Sequence, residues 1–155
     1  HPETVPVEAK ACANYLNGYL IRKDAVSRGF DLGISVGTDG FIAEGSVESI
    51  FIVKNGMLKT PPLGKILASV TRDSILQLAE NQDIRVEQTR LRKQDLYSAD
   101  EMFTCHTGIK VEPIKQFEDL PLPAPGPVTQ KISVSMADIT AFRDDRYSHW
   151  FQKLF

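Results

Sequence analysis

Cysteine, surplus charge and long apolar runs are all scarce in this sequence. Cys12 and Cys105 are its only two thiols, and neither belongs to a Cys-x-x-Cys pair or a Cys/His cluster. Neither a disulfide scaffold nor a zinc or other metal site is therefore expected, and a reducing cytoplasm is the default setting. Eighteen basic and twenty acidic residues are interspersed along the chain for a net charge of −2. That pattern leaves no basic stripe to follow a phosphate backbone, so no nucleic-acid partner is expected. The longest apolar run, Ile50-Phe51-Ile52-Val53, is far too short to cross a bilayer. No charged-then-apolar signal segment opens the chain, and the expectation is a soluble protein with no membrane partner. Internal repeats and low-complexity segments are missing too.

What remains is an ordinary core-forming composition. At 155 residues with 42% hydrophobic side chains, residues 1–155 read as a single domain, with no room for a second complete one. Leu16, Tyr19, Leu20 and Val26 recur at helical spacing between Lys10 and Arg28, with Gly29 as the C-terminal stop. Ile34-Ser35-Val36 and Phe41-Ile42 flank Asp39-Gly40, and Ile50 to Val53 meets Met57-Leu58 across Asn55-Gly56, which predicts two hairpins. Pro61-Pro62 breaks the second. A helix is predicted from about Val70 to Asn81, a strand at Ile84 to Glu87, and a short helical turn at Gln94 to Ala99. Strands are predicted at Glu101 to Cys105 and Ile109 to Ile114, followed by a proline-rich loop from Phe117 to Pro127. Pro127 then opens a helix whose stripe is Val128, Ile132, Met136, Ile139 and Phe142. Adjacent hairpins among helices predict α/β, bordering on α+β, with a mixed sheet.

Lys10, Tyr15 and Glu44 supply in order an amine, a phenol and a carboxylate. Pyridoxal phosphate draws on these three groups: the amine for its aldehyde, the phenol near its ring oxygen, the carboxylate for its ring nitrogen. A Schiff-base lysine needs a dry or cationic neighbourhood to be partly neutral. Ala9, Ala11, Cys12 and Ala13 are small, largely apolar neighbours. Taken alone, Lys10 equally fits a surface lysine ahead of a helix, and Glu44, a lone carboxylate in a turn, an ordinary turn glutamate. Ser69, Val70 and Thr71 enter a helix, where free N–H groups and the dipole suit a phosphate, although Ser69 or Thr71 also fits a plain cap. Thr107-Gly108, between two strands, is a second candidate phosphate or carboxylate cradle, or a plain loop.

Taken in order, these residues resemble the class IV (fold-type IV) pyridoxal-phosphate aminotransferases, and within them the branched-chain amino acid aminotransferases. The match runs from Lys10 with Asn14-Tyr15-Leu16-Asn17, through Glu44-Gly45-Ser46, Thr60-Pro61-Pro62-Leu63 and Val70-Thr71-Arg72-Asp73. It continues through Leu96-Tyr97-Ser98-Ala99-Asp100-Glu101 to Gly126-Pro127-Val128-Thr129. The resemblance implies the large C-terminal domain of the D-amino acid aminotransferase-like fold. It also implies Lys10 as the Schiff-base lysine, Tyr15 at the ring oxygen, Glu44 at the ring nitrogen, and Val70, Thr71 and Thr107 on the phosphate. The amides of Thr107 and Gly108 would hold the substrate carboxylate.

The activity so implied moves the amino group of a branched-chain or related amino acid to 2-oxoglutarate. Aminodeoxychorismate lyase and amine transaminases share the lysine and the glutamate turn. The family is homodimeric and has a smaller N-terminal domain ahead of the lysine, whereas this sequence starts at His1, nine residues before Lys10. Two alternatives stay open, a piece cut from a longer polypeptide or a chain whose N-terminal half is a separate fragment and hence a partner, and a non-catalytic half-domain is a third reading. Where the family usually has a glycine and an asparagine this chain has Val47 and Ser49; where it has a glycine, Ser69; and where it has a small residue, His106. His106 fits either a substrate contact or a space-filling residue with a satisfied hydrogen bond.

Overall fold

The computed structural model describes residues 6–152. In chain order the elements are a 3-10 turn at Cys12–Asn14, helix α1 (Tyr15–Ser27), and strands β1 (Ile34–Val36), β2 (Ile42–Gly45), β3 (Ser49–Lys54) and β4 (Met57–Thr60). Helix α2 (Val70–Glu80), strand β5 (Val86–Gln88), helix α3 (Lys93–Tyr97) and strand β6 (Glu101–Cys105) follow. Short strands β7 (Glu112–Pro113), β8 (Gln116–Phe117) and β9 (Leu120–Pro121) lead to helix α4 (Pro127–Thr140) and a 3-10 turn at Asp145–Trp150.

The main sheet has the order β5-β4-β3-β6-β7. Its β4–β5 pair is parallel and its other pairs antiparallel. The fold is the mixed-sheet α/β architecture that the sequence predicts. Asn55 and Gly56, at φ 51° and 71°, close the β3–β4 hairpin in the left-handed conformation that such a turn requires.

Strand β3 is buried on both faces, which is why it reads as an unbroken apolar run. Phe51 and Val53 pack with Ile75 and Leu78 of α2, Ile132, Met136 and Ile139 of α4, and Phe103 of β6. The Phe51 and Phe103 rings stack with centroids 4.9 Å apart. On the opposite face Ile50 and Ile52 pack with Leu91, Leu96 and Met102. Each such side chain contributes about 1.5–3 kcal/mol on burial, so β3 and β6 form the rigid centre from which both ends of the site project.

At the end of β6 farther from the site, Glu101 is buried, and its carboxylate accepts the Val128 and Thr129 N–H groups at 3.0 and 2.8 Å. It thereby caps α4 across the sheet. Gly126 makes room for this: a Cβ there would lie 2.3 Å from the Glu101 side chain. Beside it, Asp100 accepts the Asn55 N–H and the Lys54 ammonium, bracing the hairpin turn.

Two local expectations differ, and the exposure of α1 adds what the sequence pattern does not record. The α1 stripe is not a core stripe of this chain: Leu16, Tyr19, Leu20 and Val26 are 66, 62, 51 and 56% exposed, and the buried α1 positions are Gly18 and Ala25. The helix rests on its smallest side chains, which permit the closest backbone approach. The strand expected at Ile109 to Ile114 shrinks to Glu112–Pro113, because Lys110 turns with φ 68°. Within the proline-rich loop, β8 and β9 form a small hairpin turned at Glu118, φ 48°. No described helix is long and apolar enough to cross a membrane.

Candidate functional site

Helix α1 meets the turn after β2 at Gly18. A Cβ at that position would fall 2.0 Å from the Ser46 carbonyl oxygen, so the helix backbone lies directly on the turn. The contact sets the start of α1 beside the end of β2. Lys10, Asn14, Tyr15, Glu44, Ser46 and Leu67 accordingly line one small cavity of about 50 Å³. Lys10 Nζ sits 5.7 Å from the centroid of the Tyr15 ring. The Asn14 side-chain amide donates to the carbonyls of Pro6 and Ala9, both at 3.2 Å, and fastens the segment that carries Lys10. The dry surroundings expected for Lys10 are not supplied by its neighbours, because Lys10, Ala9, Cys12 and Ala13 are all exposed.

Glu44 sits within β2, half-buried, and one carboxylate oxygen accepts the Leu67 N–H at 3.0 Å. Burial pushes this carboxyl above its ordinary value; the Leu67 amide opposes the shift, and the nearby Glu48 charge adds to it. Glu44 is thus not a lone carboxylate. Glu48 is buried in the same turn and accepts the Val47 N–H at 2.9 Å. The Ser46 hydroxyl, also buried, has no hydrogen-bond partner among the described residues. A half-buried carboxylate short of donors, next to an unpartnered hydroxyl, suits a ligand with a protonated ring nitrogen.

Leu67 leads to the second part of the site, the start of α2. Ser69 caps this helix, its hydroxyl accepting the Arg72 N–H at 3.3 Å. The cap leaves the Val70 and Thr71 amides without a protein acceptor among the described residues. The hydroxyls of Thr71 and Thr107 approach to 3.3 Å, joining α2 to the end of β6. Two free amides at a helix N-terminus beside two hydroxyls form an anion cradle that a phosphate fits. The Gly108 N–H donates to Nδ1 of His106 at 3.1 Å.

Two residues escaped the sequence reading. Gly18 was one: a glycine inside a helix carries no sign of what it touches. Arg72 was the other, seen in the sequence only as part of a matching segment. It is 3% exposed and donates through Nη2 to the Pro61 carbonyl at 2.8 Å and to the Gln88 side chain at 2.9 Å. Burial lowers its pKa, against the opposing effects of Cys105 and Asp73. It ties the start of α2 to β4 and β5. The Cys105 thiol beside it is pushed up to about 12 by burial, so it is an inert core group rather than a nucleophile.

Comparison with known proteins gives a consistent result. The family model described as amino-transferase class IV matches residues 1–117. The branched-chain-amino-acid aminotransferase of Escherichia coli (strain K12) is 37% identical over 134 residues, 84% of this chain and 43% of that protein. Among solved structures, the branched-chain aminotransferase of the archaeon Thermoproteus uzoniensis with norvaline superimposes with a TM-score of 0.95 at 35% identity, covering 100% of this chain and 52% of that one. The branched-chain amino acid aminotransferase of Thermobaculum terrenum in its PLP-form gives 0.93 at 33% identity, covering 97% and 50%. The chain spans about half the length of the relatives it matches. It belongs to the class IV aminotransferases.

Proposed function

We propose that this chain is the cofactor-binding half of a pyridoxal-phosphate transaminase acting on branched-chain or related amino acids, with 2-oxoglutarate as acceptor. One observation carries the reading: Glu44 lines a single cavity with Lys10 and Tyr15, which come from a distant segment of the sequence, next to the helix start whose free amides and paired threonine hydroxyls suit a phosphate. When bound, pyridoxal phosphate would supply an aldehyde for amine exchange and a ring that withdraws electrons from the substrate α-carbon.

The chain's own groups do the rest. Lys10 Nζ would anchor the aldehyde and, once freed by the incoming amino acid, would carry the proton from the substrate α-carbon to the cofactor C4′, two atoms along. Glu44 offers its carboxylate to the ring nitrogen and holds a proton there, which relieves the burial cost of its own charge. Tyr15 donates its hydroxyl at the ring oxygen. Val70 and Thr71 amides, with the Thr71 and Thr107 hydroxyls, grip the phosphate, and the Thr107 and Gly108 amides receive the substrate carboxylate.

Borohydride reduction followed by peptide mapping tests the anchor. A reduced adduct is expected on the peptide containing Lys10, and none on that peptide in Lys10→Ala. An adduct that persists on the same peptide in the variant would sink the assignment.

The exposure of Lys10, together with 38% exposure of Tyr15, favours a second reading alongside the first. This half on its own binds cofactor weakly, and turnover needs a further polypeptide segment to close the pocket. Transamination assayed on the 155-residue chain, with and without a fragment supplying the N-terminal half, separates the two.

A further inference from the structure

His106 stands at the rim of the cradle proposed for the substrate carboxylate. Its Nδ1 accepts the Gly108 N–H at 3.1 Å, which places the imidazole proton on Nε2. The ring is in tight contact: a Cβ added to Gly108 would lie 2.9 Å from Cε1 and 3.3 Å from Nδ1 of His106. The Thr107 N–H, by contrast, has no protein acceptor among the described residues. Of the two amides assigned to the carboxylate, one is open and the other is taken.

We propose that His106 sets substrate affinity: its imidazole competes with the substrate carboxylate for the Gly108 amide. The inference rests on the reading above, in which that amide receives the carboxylate. One N–H cannot serve two acceptors at full strength, so each arriving carboxylate must first turn the imidazole away. The exchange replaces one partly exposed hydrogen bond by another, which is a penalty of about three- to tenfold in affinity. The penalty falls equally on the ground state and the transition state, and on amino acid and 2-oxo acid alike. It therefore raises KM for both substrates and leaves kcat unchanged.

Two variants separate competition from simple packing. His106→Ala removes the acceptor. His106→Asn keeps one, because an asparagine side chain accepts the N–H two residues on in the same kind of turn. The probe is sodium 4-methylpentanoate, a branched carboxylate without an amine, titrated into the cofactor-loaded protein while the Gly108 amide resonance is followed by 15N NMR.

The expected result is that half-saturation falls about three- to tenfold in His106→Ala and stays at the native level in His106→Asn, with KM following the same pattern at constant kcat. Equal affinities in all three proteins, or an asparagine variant that behaves like the alanine one, would overturn the competition while leaving the carboxylate cradle intact. A Gly108 resonance that stays still in every protein would overturn the cradle itself, and the competition with it. Unchanged amide resonances away from residues 104–110 establish that both variants are folded.

Discussion

Replacing Gly18 by alanine puts a methyl group where α1 touches the turn after β2. The new Cβ would stand 2.0 Å from the Ser46 carbonyl oxygen, whereas a carbon–oxygen contact settles near 3.3–3.6 Å. One side must therefore withdraw by roughly 1.5 Å. The turn is held by the Gly45 N–H to Glu48 carbonyl bond at 2.7 Å and by the Glu48 carboxylate on the Val47 N–H, while α1 buries only Gly18 and Ala25. The helix yields, and Lys10 and Tyr15 move with it.

Stability changes little, because overpacking of about 1–3 kcal/mol is partly offset by the roughly 0.5–1 kcal/mol that alanine gains over glycine inside a helix. The chemistry changes far more, since a displacement of about 1 Å costs about a hundredfold in rate. Cofactor-loaded Gly18→Ala is expected to lose about two orders of magnitude in kcat with a melting temperature within a few degrees of native. Lys23→Ala, on an exposed position of the same helix, serves as control. Native turnover in Gly18→Ala would refute the claim that this contact positions the lysine.

Two further outcomes follow from the electrostatics and the capping. Glu44 has a folded pKa raised above its ordinary value of 4.5 by burial, so the folded protein binds this proton more tightly than the unfolded one. Its stabilising contribution is full below the unfolded value and is lost as pH rises through the folded one. In cofactor-free protein, stability relative to Glu44→Gln should decline over that interval in denaturant titrations at stepped pH, and a flat difference would contradict the assigned burial. Glu101→Ala removes two charge-assisted bonds to α4, for a loss of about 3 kcal/mol, or about 6–12 °C in melting temperature. Glu101→Gln keeps one good acceptor and should lose less, and equal melting of both variants with native protein would disprove the cap.

How much of this was readable beforehand varies with the range of the interactions. Asn55-Gly56 and the β3 run were legible because turn chemistry and two-sided burial leave local marks. Lys10, Tyr15 and Glu44 were legible as residue types that one cofactor needs, and their convergence on one cavity depends on Gly18, whose contact no local pattern records. The α1 helix is legible from its periodic stripe, but the exposure of that stripe is not, since periodicity reports that a face suits burial and not what covers it. The β8–β9 hairpin has two-residue strands, too short for alternation to register. His106 was seen as out of place, but its bond to the Gly108 amide appears only once the turn is folded.

Asp100 and Glu101 act together as a ruler for the far end of β6. Neighbours on a strand point to opposite faces, and here one holds the Asn55 turn while the other holds the first turn of α4. A slip of one residue would break both attachments at once and turn every β6 side chain to the other face. It would also shift Thr107 by about 3.4 Å, beyond reach of the Thr71 hydroxyl now 3.3 Å away. Two acidic residues outside the candidate site thus determine where the cradle proposed for the phosphate closes.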